Sequence, residues 1–576
     1  MSSPGRLPVR LRLRRVARRL VFGVTLAGLL ATAEATAATS RPERVVVRVG
    51  SGRTLPGELS RAPGARHLFG DWWRLELPPG EISGTYLQSF RARGELDRVD
   101  ADVVQRLAIG GAELAASAAM AVPDPAAPAP LVANDPLLAQ QWHHRAIGAE
   151  AAWLRATGAG VVVAVVDSGV SVATTPGSDG FCHPLAGEYD AVADLEGPGA
   201  AADHLGHGTF VAGVVAQCTG NGIGGVGLAP DAEILAIRAC TDDSECASSD
   251  VATAIDWATT HGARVINLSL GMPCGATDWP ECSTAIENDA IDRAVAAGVI
   301  VVAIAGNGHE DHLGFPANHP QVIGVGGVEA RLLKTSYSSW GTALSVMAPA
   351  GEPGVDSDAD GFADEILQET LRRVCNPGGI AGFGYCRWSG TSFAAPHVAA
   401  AAALLLEEHP GASRSQVRRA LEQSALDRGA PGFDPLYGHG VVQAEAALGR
   451  LDEIVASEGE GCIAAPGRLC LLQNRFAVEV SWTNYQGVSG VGTARPLTSD
   501  SGLFWFFAPA NLELLVKMVD GCSFNGHYWV YAAATTDVEY HLRVTESATG
   551  AFRTFDNTLG TASPAFTSID AFACGN

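Results

Sequence analysis

The chain has 576 residues, 47% of them hydrophobic and 18% charged, with a formal net charge of −23. That length exceeds what one core usually supports, so more than one domain is expected. The excess of carboxylates argues against nucleic acid or an anionic membrane surface as the partner.

In chain order, residues 1–37 stand apart. Arg6, Arg10, Arg12, Arg14, Arg15, Arg18 and Arg19 precede the apolar run Leu20–Leu30, and small residues including Ala35-Thr-Ala37 follow. Basic region, short apolar run and A-x-A site are the three parts of an export signal. Arg18-Arg19 fits the twin-arginine route, and a secreted protein is expected. The run is too short to span a bilayer, and no other segment reads as a membrane span. Removing 1–37 takes away seven arginines and one glutamate and moves the net charge from −23 to −29.

Residues 38–133 read as a small α+β unit followed by an exposed linker, the Ala/Pro-rich stretch Ala115–Pro130. Within the unit, Arg44–Val49, Trp72–Leu77 and Val99–Val104 predict strands, and Tyr86–Arg93 a helix. Residues 134–450 form a third segment, in which apolar strand runs and helices suggest an α/β domain with a parallel sheet. The run Val161–Val166 reads as a fully buried strand ending at Asp167, in the crevice where such sheets carry their sites. His207 lies between two glycines at the start of an apolar helix, Phe210–Ala216. His204 and His207 make an H-x-x-H pair, but the metalloprotease glutamate is absent, which argues against zinc. Val265–Gly271 is a further strand, and Val299–Ile304 leads into Ala305-Gly306-Asn307. Ser392 follows Gly390-Thr391 and opens an apolar helix, where free N–H groups favour an oxyanion. Pro396 is tolerated in a first helical turn and supports a start near Ser392.

Between them, Asp356, Asp358, Asp360 and Asp364 have the alternating carboxylates and turn glycine of a structural calcium loop. The twelfth position, Leu367, lacks the usual glutamate, and a solvated acidic insertion is the competing reading. Beyond Ser457 the texture changes. Phe476–Trp482, Gly502–Phe507, Leu512–Met518, Tyr528–Tyr531 and Val538–Val544 are short, aromatic and partly alternating, so residues 457–576 read as an antiparallel β-sandwich.

Twelve cysteines in an exported chain read as disulfides. Short spacing groups Cys240/Cys246, Cys274/Cys282, Cys375/Cys386 and Cys462/Cys470. The remainder pair by domain as Cys182/Cys218 and Cys522/Cys574, although sequence alone does not fix connectivity.

The segments Val163–Gly169, Gly206–Gly213 and Ser389–Pro396, in the order Asp…His…Ser, resemble the subtilisin-like serine peptidases (subtilases) over roughly Asn134–Leu448. The resemblance implies a subtilisin-like parallel sheet with helices on both faces. It implies Ser392 as nucleophile, His207 as general base and acid, Asp167 as its orienter and Asn307 as oxyanion donor. Asparagine at 307 and a histidine in the triad argue against the Glu/Asp/Ser peptidases. Ser269, Leu270 and Gly271 match the strand that binds substrate backbone, and Gly314 matches the bottom of an apolar specificity pocket. Glu310 and Asp311 near its rim either favour a basic residue or merely solvate a loop. The resemblance further implies a propeptide in 38–133 that acts as an intramolecular inhibitor, and a zymogen acting on protein or peptide substrates as a monomer. No cofactor is expected for catalysis. The alternative is a surface or substrate-binding protein with a vestigial peptidase domain.

Overall fold

The computed structural model describes residues 43–50, 52–62, 64–77, 85–107, 133–173, 179–275, 277, 279–357, 359, 361–371, 374, 382–458, 461–472, 474–509, 511–547 and 549–574. The export-signal segment, the whole linker Ala115–Pro130, Asp358, Asp360 and Cys375 lie outside the described residues.

The first unit contains β1 (Glu43–Val49), β2 (Arg66–His67), β3 (Trp72–Leu77), α1 (Thr85–Ala92) and β4 (Leu96–Ala101), with sheet order β2-β3-β1-β4. Strand alternation divides β1 between two environments. Val45, Val47 and Val49 join Leu75, Leu87 and Phe90 in the unit's own core, whereas Val46 and Trp72 join a core of the next domain. The strand expected over Val99–Val104 is two strands. After β4 the chain leaves the sheet, and β5 (Val104–Leu107) pairs with the neighbouring domain. Asp102 accounts for the break. Its carboxylate accepts from Ser248 Oγ at 3.0 Å, the Ser249 N–H at 2.9 Å and Ser249 Oγ at 2.8 Å, all on that domain.

The central domain opens with α2 (Trp142–Ala146), α3 (Ala149–Ala152) and β6 (Val162–Asp167). There follow β7 (Gly187–Asp190), β8 (Leu195–Glu196), α4 (His207–Ala216), β9 (Glu233–Arg238), β10 (Glu245–Ala247) and α5 (Ser248–Thr260). Next come β11 (Val265–Leu268), β12 (Leu270–Gly271), α6 (Ala285–Ala296), β13 (Ile300–Ile304), β14 (Ile323–Val328) and β15 (Leu344–Pro349). The hairpin β16 (Ile366–Leu371) and β17 (Phe383–Trp388) leads into α7 (Thr391–Glu408), α8 (Arg414–Gln423) and α9 (Ala444–Glu458).

Eight strands form one sheet in the order β15-β14-β13-β11-β6-β9-β7-β8, parallel except at β8. Val163 and Val165 of β6 enter the core that holds Phe210, Val214, Phe393 and Val398 from α4 and α7. Ala164 and Val166 enter the opposite core, with Val251 and Ile255 of α5 and Ile286 of α6. Burial on both faces is why these strands read as continuous apolar runs rather than alternating ones. Among the described residues no helix is long and apolar enough to cross a membrane.

The C-terminal region is a separate sandwich with its own core around Phe476, Phe504, Val516, Val530 and Leu542. One sheet runs β18 (Arg468–Leu471), β19 (Phe476–Thr483), β25 (Glu539–Glu546), β26 (Phe552–Asn557), with β20 (Ser489–Val491) beside β19. The other runs β21 (Thr493–Thr498), β22 (Ser501–Trp505), β23 (Leu514–Gly521), β24 (His527–Ala534), β27 (Phe566–Ala573). Bridges join Cys182–Cys218, Cys240–Cys246, Cys274–Cys282, Cys462–Cys470 and Cys522–Cys574.

Candidate active site

Asp167 is the last residue of β6, His207 the first of α4 and Ser392 the second of α7, and all three are at most 1% exposed. His207 Nδ1 lies 2.7 Å from Asp167 Oδ1, which also accepts the Ser168 N–H at 2.7 Å. Glycines permit this closeness. A methyl on Gly208 would stand 2.1 Å from the Gly169 carbonyl oxygen and 3.0 Å from the Asp167 Cβ. Gly169 itself has φ +103°, and a Cβ there would stand 2.3 Å from the Ala201 carbonyl oxygen.

A residue not singled out in the sequence, Asp203, organises the turn before α4. Its carboxylate accepts the N–H groups of Leu205, Gly206 and Thr209 and the hydroxyls of Ser168 and Thr209, at 2.6–3.0 Å. Burial raises its pKa and these donors oppose the rise. An aspartate four residues ahead of a helix-opening histidine was the available signal, since it can satisfy the first free N–H groups. The imidazole also meets aromatic rings: Phe393 at 5.6 Å between centroids and Trp388 stacked at 6.5 Å.

Pro396 is the sixth residue of α7, beyond the first turn where the sequence reading set it. Having no N–H, it cannot bond the Ser392 carbonyl four residues back. Ser269 supplies the missing donor, its Oγ lying 2.6 Å from that carbonyl oxygen. Ser269 is fully buried between β11 and β12, and its hydroxyl is spent on the start of α7. Asn307 follows β13. Its Oδ1 accepts both the Thr391 N–H at 2.9 Å and the Thr391 hydroxyl at 2.8 Å, which fixes the plane of the amide beside Ser392.

Leu270 and Gly271 form β12, where Gly271 approaches the Phe315 carbonyl so closely that a Cβ would lie 2.9 Å away. Gly314 is buried, and a Cβ there would stand 2.8 Å from the Met272 carbonyl oxygen. Asp311 is largely exposed and pairs with its neighbour His312 at 2.9 Å. Antiparallel to β12, and also to β10, runs β5: Leu107 is opposite Leu270, Arg106 opposite Gly271 and Glu245, and Gln105 opposite Cys246. The first unit's tail thus forms the middle strand of a three-stranded ribbon.

Of the four aspartates read as a calcium loop, the two described ones diverge. Asp364 is buried and accepts the N–H and hydroxyl of Ser357, whereas Asp356 is exposed and accepts the Gly361 N–H at 3.1 Å. Another acidic group gathers beside the α4 C-terminus. Asp135 accepts the Gly220 N–H at 2.7 Å, and Asp179 accepts from Asn221 Nδ2 at 2.7 Å and the Tyr385 hydroxyl at 2.9 Å. Burial, with a contribution from Asp135, pushes Asp179 up to about 6. Burial and Asp179 push Glu369 up to about 8.

The sequence profile described as the Subtilase family matches residues 158–440. Subtilisin BL of Lederbergia lenta is 34% identical over 291 residues, which is 50% of this chain and 91% of that protein. The subtilisin of Bacillus pumilus is 36% identical over 299 residues, 50% of this chain and 92% of the relative. A solved protease from Pseudoalteromonas arctica, 30% identical, is covered over 99% of its chain and covers 55% of this one, with a TM-score of 0.47. With the described sheet, the profile match and the likeness over nearly the whole length of two subtilisins mean that the chain belongs to the subtilase family and is a subtilisin-like serine endopeptidase.

Proposed function

We propose that the protein is a secreted endopeptidase, made as a zymogen, that cleaves protein or peptide substrates through Asp167, His207 and Ser392. The single observation that carries this reading is the buried pair at the ends of β6 and α4, His207 Nδ1 2.7 Å from Asp167 Oδ1, with the first turn of α7 beside it through Phe393, 5.6 Å from the imidazole. With its Nδ1–H held by Asp167, the imidazole keeps Nε2 basic. His207 takes the Ser392 hydroxyl proton as Oγ bonds to the substrate carbonyl carbon. The oxyanion is received by the Asn307 amide and by the Ser392 N–H at the positive end of α7. Collapse of the tetrahedral intermediate breaks the C–N bond, and the imidazolium gives its proton to the leaving amine. Water then repeats the sequence on the acyl-enzyme and restores Ser392.

The zymogen reading rests on β5. An extended chain paired with β12 occupies the strand edge that a substrate needs, so the first unit acts as an intramolecular inhibitor. Domain limits follow as 1–37 export signal, 38–133 propeptide and linker, 134–450 catalytic domain and 457–576 appended β-module. To test the function, the purified precursor is allowed to process and is treated with a fluorophosphonate. Label on Ser392 and a new N-terminus between residues 108 and 134 are expected. Undiminished proteolysis with Ser392 unlabelled overturns the assignment.

A structural calcium ion belongs to the same reading. Hard oxygen donors suit it, and the buried carboxylates of Asp135 and Asp179, each held above its usual range by desolvation, fit a cation that offsets their charge. The ion would hold the loop after α4 and has no part in the chemistry. Binding to the folded form alone stabilises by about 2.7 kcal/mol at a hundredfold excess over Kd. Chelator is therefore expected to lower Tm and hasten self-digestion, and Asp179→Asn to remove that sensitivity. If Asp358→Ala removes it instead, the ion sits in the 356–364 loop.

A further inference from the structure

The tail of the first unit enters the cleft with one polar side chain pointing inward. Along β5, Val104 is 52% exposed, whereas Gln105 is 2% and Leu107 6% exposed, so Gln105 and Leu107 face the protein. Leu107 joins the apolar cluster of Leu270, Cys246 and Ile286. Gln105, at the same depth, finds a carboxyl group. Its Nε2 donates to Oε1 of Glu287, the third residue of α6, which is fully buried. Thr284 Oγ1 donates to the same oxygen at 3.2 Å. At this contact the other oxygen of each group, Gln105 Oε1 and Glu287 Oε2, is buried without a partner.

Burial, the largest cause, pushes Glu287 up to about 8. Gln105 and Thr284 oppose the rise, and Asp102 on the first unit adds to it. At neutral pH the carboxyl therefore carries its proton and offers one donor and one acceptor. A primary amide offers the same pair in reverse. A proton on Glu287 is the kind of donor that Gln105 Oε1 lacks.

We infer that Glu287 is a specificity-determining residue of the cleft, selecting a primary amide, glutamine above all, at the strand position that Gln105 fills. This rests on the reading of β5 as a substrate-like strand in a peptidase cleft. An aliphatic side chain there strands the buried carboxyl oxygens. A carboxylate side chain brings a second acid into an apolar site. A lysine demands that Glu287 ionise where burial opposes it. Sites that hydrogen-bond a substrate group reject analogues lacking it far more strongly than apolar pockets discriminate by size.

The test has two arms. In the first, the processed enzyme cleaves peptides copying residues 102–112 with the position of Gln105 varied to Leu, Glu and Lys. Gln is expected to exceed each of the others in kcat/KM by at least about tenfold. Glu287→Gln keeps Gln above Leu, since an amide also pairs with an amide, and Glu287→Leu reverses that order. In the second arm, amide hydrogen exchange of residues 104–107 is followed in the full Ser392→Ala chain. Gln105→Leu is expected to speed exchange, and adding Glu287→Leu to slow it again. The same residue ranking in the parent and Glu287→Leu enzymes, or a Lys preference that Glu287→Gln abolishes, overturns the inference. Cleavage of no peptide, with the exchange response intact, overturns the peptidase reading and leaves the amide pocket standing.

Discussion

Replacement of Ser392 by alanine is expected to lower turnover by about 10⁶, because removal of the nucleophile from a subtilisin-type triad costs about as much as removal of the whole triad. The loss should come from chemistry alone. What the α7 start needs from residue 392 is its carbonyl, which Ser269 Oγ holds at 2.6 Å, and a backbone group survives the substitution. Alanine is also the best helix former. Tm of the variant should therefore stay close to that of the parent. The precursor should remain uncleaved between the first unit and Asn134, as read by N-terminal sequencing. Residual hydrolysis within tenfold of the parent would remove Ser392 from the mechanism.

Asp167→Asn is expected to cost about 10⁴ in kcat with little change in KM. Asp167 Oδ1 accepts two donors at once, the His207 Nδ1–H and the Ser168 N–H, each at 2.7 Å. An asparagine keeps the shape, but one of its two terminal atoms is now a donor. Turned toward His207, that amide forces the proton onto Nε2, the atom that must accept from Ser392. Recovery of rate at high pH, where hydroxide assists, would agree with a tautomer defect. A loss under tenfold would show that His207 is oriented by other contacts, with the stacked Trp388 and Phe393 rings the first to examine.

The sandwich shows where sequence pattern has its reach. Five of its strands were anticipated from aromatic and alternating runs, and these are β19, β22, β23, β24 and β25, all interior to their sheets. The others are the edge strands β18, β21, β26 and β27, and the short β20 beside β19. Edge strands are covered on fewer sides, so their residues need not alternate. Thr493–Thr498 and Phe552–Asn557 are mostly exposed, and nothing in them contrasts with a loop.

The parallel sheet and the positions of Asp167, His207 and Ser392 were determined by the sequence itself. A strand buried on both faces must be apolar along its whole length, and the two helix starts carry glycines, Gly206 and Gly208 beside His207 and Gly390 two residues before Ser392, so both leave local marks. Only the tertiary structure decided what holds those residues in place. Ser269 closes the gap left by Pro396 from 123 residues away, Thr391 fixes the Asn307 amide across 84, and Gln105 meets Glu287 across 182. A hydrogen bond between distant segments depends on where the whole fold brings their side chains. The isolated serine, threonine or glutamate carries no periodicity that could announce it.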